Sequence, residues 1–509
     1  MFIKLLLLIV FFAIMVGVGI YAGKHTKSVD GFVLGGRKAG PWLTAFAYGT
    51  SYFSAVVFVG YAGQFGWKFG ISSTWIGLGN AFIGSLLAWI VLGRRTRVMS
   101  HHLKSKTMPD FFGSRYQSNA LKIVASIIVF VFLVPYTASI YNGLSRLFQV
   151  AFNIPYFWCV IVMALFTGIY VIAGGYMATA INDFIQGIIM LIGIVAVIWA
   201  VLSGQGGFIE AIKKMSEIPS EVRLSAGQQG AYTAFFGPDP LNLISVVILT
   251  SFGTWGLPQM VGKFYAIKDE KSINTGTVIS TAFALIIAGG SYFLGGFGRL
   301  FDNPALHNES GSVIFDAVIP FMVSTLPDIL IGIVIVLVLS ASMSTLASLV
   351  LASSSTLTLD CLKGHIIKNM SEKRQIRVMR ALVIFFIVIS VVLALNPPTF
   401  IAQLMGISWG ALAGAFLAPF FFGLYWKGVT KAAVWAGFAS GVLITVTNLI
   451  FPFLPSPIHA GALAMIAGLV IVPLVSFITP KMNKTATDEM FACYKETVTI
   501  TKVRSLEEA

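Results

Sequence analysis

The chain has 509 residues and a net charge of +14, yet only 11% of its residues are charged, 57% are hydrophobic and its mean hydropathy is +0.87. A soluble domain carries about 25% charged residues, so a water-soluble globule is excluded, as are disordered, fibrous and disulfide-stapled chains. A hydrocarbon layer about 30 Å thick needs roughly 20 apolar residues per helix, and such runs recur throughout; the expected class is an all-α polytopic membrane protein.

The first apolar run, 2–22, is long for a secretory signal. Cleavage after it would leave Lys24, Lys27, Arg37 and Lys38 outside, against the orientation rule. It is read as a peripheral first helix. Spans follow at 42–66, 72–93, 122–152, 155–174 and 183–204, then a polar loop, then spans at 241–262, 274–297, 329–352, 379–396, 399–425, 431–452 and 458–479, about 13 in all. Alternating them across the bilayer puts most Lys and Arg on one side, so the N-terminus is expected outside and the C-terminus inside the plasma membrane.

The positive charge is therefore topological and calls for no nucleic acid. The inner stretches Arg94–Lys106 and Lys363–Arg380 can meet anionic lipid headgroups or remain solvated loops. Cys159, Cys361 and Cys493 fall in a span, at an inner helix end and in the inner tail, so no disulfide is expected.

The chain divides as 1–41 (peripheral helix and basic inner loop), 42–204, an extracellular loop 205–240, 241–425, two peripheral helices in 426–479, and a cytoplasmic tail 480–509. The blocks 42–204 and 241–425 each hold five spans, so the second starts from the opposite face, as in an inverted repeat. In such transporters the first helix of each half is interrupted near mid-membrane, and the freed backbone groups build the site. Here Thr250-Ser-Phe-Gly-Thr-Trp-Gly-Leu-Pro258 carries Gly253, Gly256 and Pro258, and Tyr48-Gly-Thr-Ser-Tyr-Phe-Ser54 combines Gly49 with hydroxyl residues at matching depth.

A third element is Ser340-Ala-Ser-Met-Ser-Thr-Leu-Ala-Ser348, in which Ala341, Ser344, Thr345 and Ser348 share one face. That face is either a small-residue seam for close helix packing or an oxygen-rich wall. Hard cations take oxygen ligands, and two hydroxyls with carbonyls from a broken helix would surround Na⁺ without a carboxylate.

These motifs resemble the sodium:solute symporter family, particularly its bacterial proline and pantothenate transporters, over nearly all of the chain. The resemblance rests on Tyr52-Phe-Ser-Ala55 with Phe58 and Gly60, Ile181-Asn-Asp-Phe-Ile-Gln-Gly187, Gly256-Leu-Pro258, Met343-Ser-Thr-Leu346, Asn396-Pro-Pro398 and Gly423-Leu-Tyr-Trp426. It implies a LeuT-like core of five plus five inverted helices with an added first helix. It also implies a coupling Na⁺ held by the carbonyls of Thr50, Phe53 and Ala341 and the hydroxyls of Ser344 and Thr345.

Asp183, at the expected start of a span, reads either as an inner helix cap or, by the resemblance, as a residue on the inner ion path. Some relatives add a second sodium one turn further on, where this chain has Ala347 and Ser348; one hydroxyl is missing, so one sodium per cycle is expected. The solute is expected between the broken helices, near Tyr52, Ser54, Val57, Thr254 and Trp255, faced by Tyr136. Val57 offers no hydrogen bond to a polyol, which favours an apolar-bodied solute over a sugar. No Lys or Arg is expected at mid-membrane, and Arg146 is read as an interface residue.

The expected activity is sodium-coupled import of a small carboxylate or amino acid, such as pantothenate, proline or a monocarboxylate, by alternating access. Sodium, solute and membrane lipid are the expected partners, with no obligate protein partner evident. A proton-coupled carrier titrating Asp183 and a transporter-like sensor are the rivals; the tail 480–509 is short for a signalling domain. An enzyme is disfavoured, since none of the six histidines falls at mid-span and Ser344 and Thr345 have no activating base nearby.

Overall fold

The structure is a computed structural model that describes residues 2–25, 28–152, 154–363, 366–367, 369–397 and 399–495. Lys27, Gly364, His365 and Lys368 of the basic inner loops, Pro398 of the Asn-Pro-Pro motif and residues 496–509 of the tail lie outside the described residues. Among the described residues, 9 helices are long and apolar enough to cross a membrane, and the pair Pro240–Gly256 and Pro258–Ala266, bent by 44°, makes a tenth. The shorter apolar helices Leu6–Ala22 and Tyr156–Ile169 fall where two further spans are expected, and Val56–His102 takes in both the end of the span expected at 42–66 and the one expected at 72–93.

Boundaries moved where the chain turns without a polar loop. The spans expected at 155–174 and 183–204 meet end to end at Gly175, whose φ of +58° breaks the helix in a conformation open to glycine. A Cβ there would fall 2.8 Å from the Phe32 carbonyl oxygen, so the junction has no room for a side chain. The following helix thus begins at Gly175, and Asp183 lies two turns inside it, fully buried. The cap reading of Asp183 is corrected on that ground.

Helix Asp328–Leu362 is the central rod. Every residue from Leu337 to Leu351 is buried, so its hydroxyls face neither lipid nor bulk water and must find partners inside the protein. It packs on helices 119–152, 156–204 and 41–52. Helix 41–52 also packs on helix 271–284, and helix 240–256 packs on the segment 80–87, so the first helix of each five-span block meets the second helix of the other block. Helices 431–450 and 457–478 cover helix 401–425 from outside, and helix 2–25 lies along helix 156–204.

Loops dock against the ends of this bundle. The loop 205–239 contains helix Phe208–Glu217 and is tied to the ends of the spans through Arg299, whose guanidinium donates to the Trp67 carbonyl at 2.7 Å and to Glu221 at 3.0 Å and stacks 4.2 Å from the Tyr232 ring. In the loop between helices 94–102 and 119–152, buried Arg115 donates to the carbonyl of Gly423 at 3.1 Å, and Tyr116 donates to that of Pro419 at 2.7 Å. The Gly423-Leu-Tyr-Trp426 motif is thereby a docking point for the inner helix Met108–Arg115.

Candidate sodium and solute site

Helix Pro41–Tyr52 ends at Phe53, which is extended at φ −100° and ψ 118°, and the chain becomes helical again at 56–69. No proline forces this break; groups around it satisfy the backbone it frees. Ser54 caps the new start, its hydroxyl accepting from the Val56 N–H at 3.2 Å and its carbonyl from the Val57 N–H at 3.0 Å. The Ala55 N–H donates to Ser342 Oγ at 3.2 Å, a side chain of the central rod.

Two further hydroxyls of that rod face the same break. Ser344 Oγ lies 3.0 Å from the carbonyl oxygens of both Thr50 and Ala341. Thr345 Oγ1 lies 2.9 Å from that of Thr50, 3.0 Å from that of Ala341 and 3.2 Å from that of Phe53. Thr50, Phe53, Ala341, Ser344 and Thr345 thus converge as five buried oxygen donors, three of them carbonyls. One hydroxyl proton cannot serve three carbonyls at once, so the cluster holds more acceptor capacity than its own protons fill. A hard cation bound by neutral oxygens suits that donor set.

The second broken helix leaves helical geometry at Leu257, extended at φ −88° and ψ 123°, with Pro258 opening the next segment. Thr254 and Trp255, expected to face the solute, are held by the neighbouring helix: Thr254 Oγ1 donates to the Gly84 carbonyl at 3.0 Å and Trp255 Nε1 to that of Ile83 at 3.0 Å. The Trp255 ring packs against Phe252 and Phe421. The part of this helix that meets the interior is Gly253, where an added Cβ would lie 2.6 Å from the Trp409 ring.

Trp409 is buried beside two expected solute residues, its ring 5.8 Å from those of Tyr52 and Tyr136. Ser54 lies next to the Tyr136 hydroxyl, and Val57 is buried in the first turn past the break. Around Tyr52 stand four more phenols, Tyr48, Tyr61, Tyr136 and Tyr292, with Asn80 beside Tyr292. Among the described residues, the hydroxyls of Tyr52, Tyr61, Tyr136 and Tyr292, Asn80 Nδ2 and Trp409 Nε1 have no hydrogen-bond partner. Unmade bonds of this kind cost about 1–3 kcal/mol each, and a cluster of them framed by aromatic faces can grip a small molecule with a polar edge and an apolar body.

Sequence reasoning missed Tyr61, Asn80, Tyr292 and Trp409, which come from four different segments; only the tryptophan amid small residues in Gly406-Ile-Ser-Trp-Gly410 stood out as a signal. It also missed Lys263. That residue is 3% exposed and lies in helix Pro258–Ala266, past the second break, where no Lys or Arg was expected so close to the site. Its Nζ is 3.7 Å from Asp183 and donates to Ser348 Oγ at 3.1 Å. Ser348 in turn lies 2.7 Å from Ser51 Oγ. Arg146 is exposed and lines a cavity of about 420 Å³ with Asn142, Tyr156 and Asp316.

A sequence model of the sodium:solute symporter family matches residues 32–441. A sodium/proline symporter of Staphylococcus aureus (strain JH9) is 29% identical over 497 residues, covering 94% of this chain and 92% of that protein. Among solved structures, a Na⁺-coupled sialic acid symporter in a substrate-bound, outward-open state aligns with a TM-score of 0.78 at 16% identity, over 94% of this chain and 98% of the other. A nucleobase-cation-symport-1 family transporter, closed around bromovinylhydantoin, aligns with a TM-score of 0.51 at 15% identity, over 91% and 98% of the two chains. At such identities the likeness carries the fold, which is LeuT-like.

Proposed function

The chain belongs to the sodium:solute symporter family, and from that premise we propose that it imports a small amino acid or carboxylate together with Na⁺. It is an integral membrane transporter rather than an enzyme. The blocks 42–204 and 241–425 act as inverted repeats, with the N-terminus outside, the C-terminus in the cytoplasm and residues 205–240 as the outer loop. Sodium is held by Thr50, Phe53, Ala341, Ser344 and Thr345. The observation that carries this reading is the convergence of three carbonyls and two hydroxyls from a broken helix and a buried rod.

The solute lies one residue away from this cage, against Tyr52, Ser54, Val57, Tyr136 and Trp409. An aromatic wall with scattered donors favours a solute with a compact apolar body; proline, pantothenate and short monocarboxylates fit that description. The relative named a sodium/proline symporter puts proline first. Because Tyr52 and Ser54 flank the Phe53 carbonyl in sequence, sodium that orders the break also orders the solute's wall, so each ligand raises affinity for the other. One charge entering down 100 mV contributes about 2.3 kcal/mol, enough for roughly fortyfold accumulation.

Uptake of labelled proline, pantothenate and lactate into proteoliposomes tests the reading, with an inward sodium gradient in one set and a proton gradient alone in the other. Accumulation of one of these with sodium only is expected. Equal transport in sodium-free vesicles driven by protons would replace the cage with the Asp183 carboxyl as the coupling group.

A further inference from the structure

Lys263 is the one feature of this ion path that the symport mechanism above does not use. Its side chain crosses from the inner half of the second broken helix to the inner side of the sodium cage. Ser348 is one helical turn beyond Thr345, and Ser51 directly follows Thr50, so the Ser51–Ser348 pair adjoins the cage, with Lys263 bonded to it. On the ammonium's other side stand Asp183 at 3.7 Å and the face of Tyr176 at 5.3 Å. Asp183 is fully buried, and among the described residues neither carboxylate oxygen accepts a hydrogen bond.

One carboxylate and two hydroxyls around this position attract a cation more strongly than the neutral cage beside it, since a buried carboxylate demands a positive partner. Here that partner is covalently attached. Asp183 Oδ2 has the Lys263 ammonium 3.7 Å away, so removal of the ammonium would leave the buried carboxylate without that partner. A cavity of about 50 Å³ runs from Lys106 and Thr107 past Gln259 to Lys263 and Ser348. That exceeds the roughly 10–15 Å³ one water occupies, so water can reach this position from the inner loops.

We propose that the Lys263 ammonium is a tethered cation filling the position at Asp183, Ser348 and Ser51 that would otherwise bind a second sodium ion, so that the protein carries one Na⁺ per cycle. The inference rests on the sodium reading of the cage. It assigns the missing second ion to a side chain from another helix, whereas the missing hydroxyl at Ala347 would merely weaken such a site. The ammonium stays with the protein, giving the inner path a fixed positive charge that a departing Na⁺ must pass.

Equilibrium binding of ²²Na⁺ to the purified full chain in detergent tests this. One ion per wild-type protein is expected, two for Lys263→Ala and for Lys263→Gln, and one again for Lys263→Ala combined with Asp183→Asn. The slope of the sodium dependence of tryptophan fluorescence should rise from about one to about two in either Lys263 variant, following the number of ions bound. Two ions on the wild-type protein overturn the proposal whether or not any variant folds. One ion on both wild type and a folded Lys263 variant overturns it while leaving the cage intact. No ion on the wild type, with Thr345→Ala indistinguishable from it, removes the sodium reading underneath.

Discussion

At Leu257 the chain leaves its helix between Gly256 and Pro258, whereas at Phe53 it does so with no proline from Trp42 to Phe69. The first of these breaks is written into the covalent chain, because proline cannot donate the backbone bond that would continue the helix. The second is held from outside: Ser342, Ser344 and Thr345 all belong to the central rod and all meet backbone groups between Thr50 and Ala55. A break held by a neighbouring rod can respond to a cation that joins the same oxygens; a break marked by proline and pinned by backbone packing at Gly256 behaves as a fixed elbow. On the proposed function, the sodium-sensitive element is the break without the proline.

The largest expected effect comes from Thr345→Ala. Thr345 Oγ1 touches three of the cage carbonyls, and a hydrogen-bonding group lost from a charge is worth about 1.5–3 kcal/mol. At 1.4 kcal/mol per tenfold, sodium at half-maximal uptake should rise about 10–100-fold. Solute affinity at saturating sodium should change far less. A sodium titration of initial uptake rates reads both, and an unchanged sodium midpoint would detach the first break from the ion.

How much of this was legible in the chain follows the same division. Gly256-Leu-Pro258 announces its break in three letters. The break at Phe53 could be suspected only because Gly49 and the hydroxyls sat at matching depth, since what opens it lies almost 300 residues away in Ser342 and its neighbours. Span positions were readable because apolar length is a local property. Asp183 was misplaced because the junction at Gly175 is apolar and shows no loop, and Lys263 because the span expected at 241–262 stopped one residue short of it. Thr254 and Trp255 show why direction is harder to read than depth: which way a side chain of a broken helix points depends on the bend, and here both side chains bond carbonyls of the segment 80–87.

Ser342→Ala is next in size. It removes the acceptor of the Ala55 N–H without touching the five cage oxygens, and a buried N–H left without a partner costs about 1–3 kcal/mol. The melting temperature in detergent should fall. Saturating sodium should restore part of it, because an ion that binds only the broken geometry stabilises that geometry by mass action. A variant whose lowered melting point ignores sodium would show that the two features of the first break, its capping and its ion, are energetically separate.

Pro258→Ala should have the smallest effect, although proline is the more conspicuous helix breaker. Pro258 is the first residue of its segment, where the backbone N–H lacks a helical partner in any case. Restoring that N–H gains little, and the loss is mainly the extra freedom of the unfolded chain, about 0.4–1 kcal/mol. The elbow has a second support: a side chain on Gly256 would lie 2.8 Å from Ala413 Cα and 2.9 Å from Leu417 N, so the two backbones are in direct contact at the bend. Straightening the pair would pull Gly256 off helix 401–425 and Gly253 off Trp409. Pro258→Ala is therefore expected to keep uptake within about twofold and the sodium midpoint unchanged, whereas Gly256→Val, which drives a branched side chain into that contact, should abolish both folding and transport. A large loss of uptake in Pro258→Ala at normal thermal stability would reverse the assignment and make the proline itself the holder of the bend.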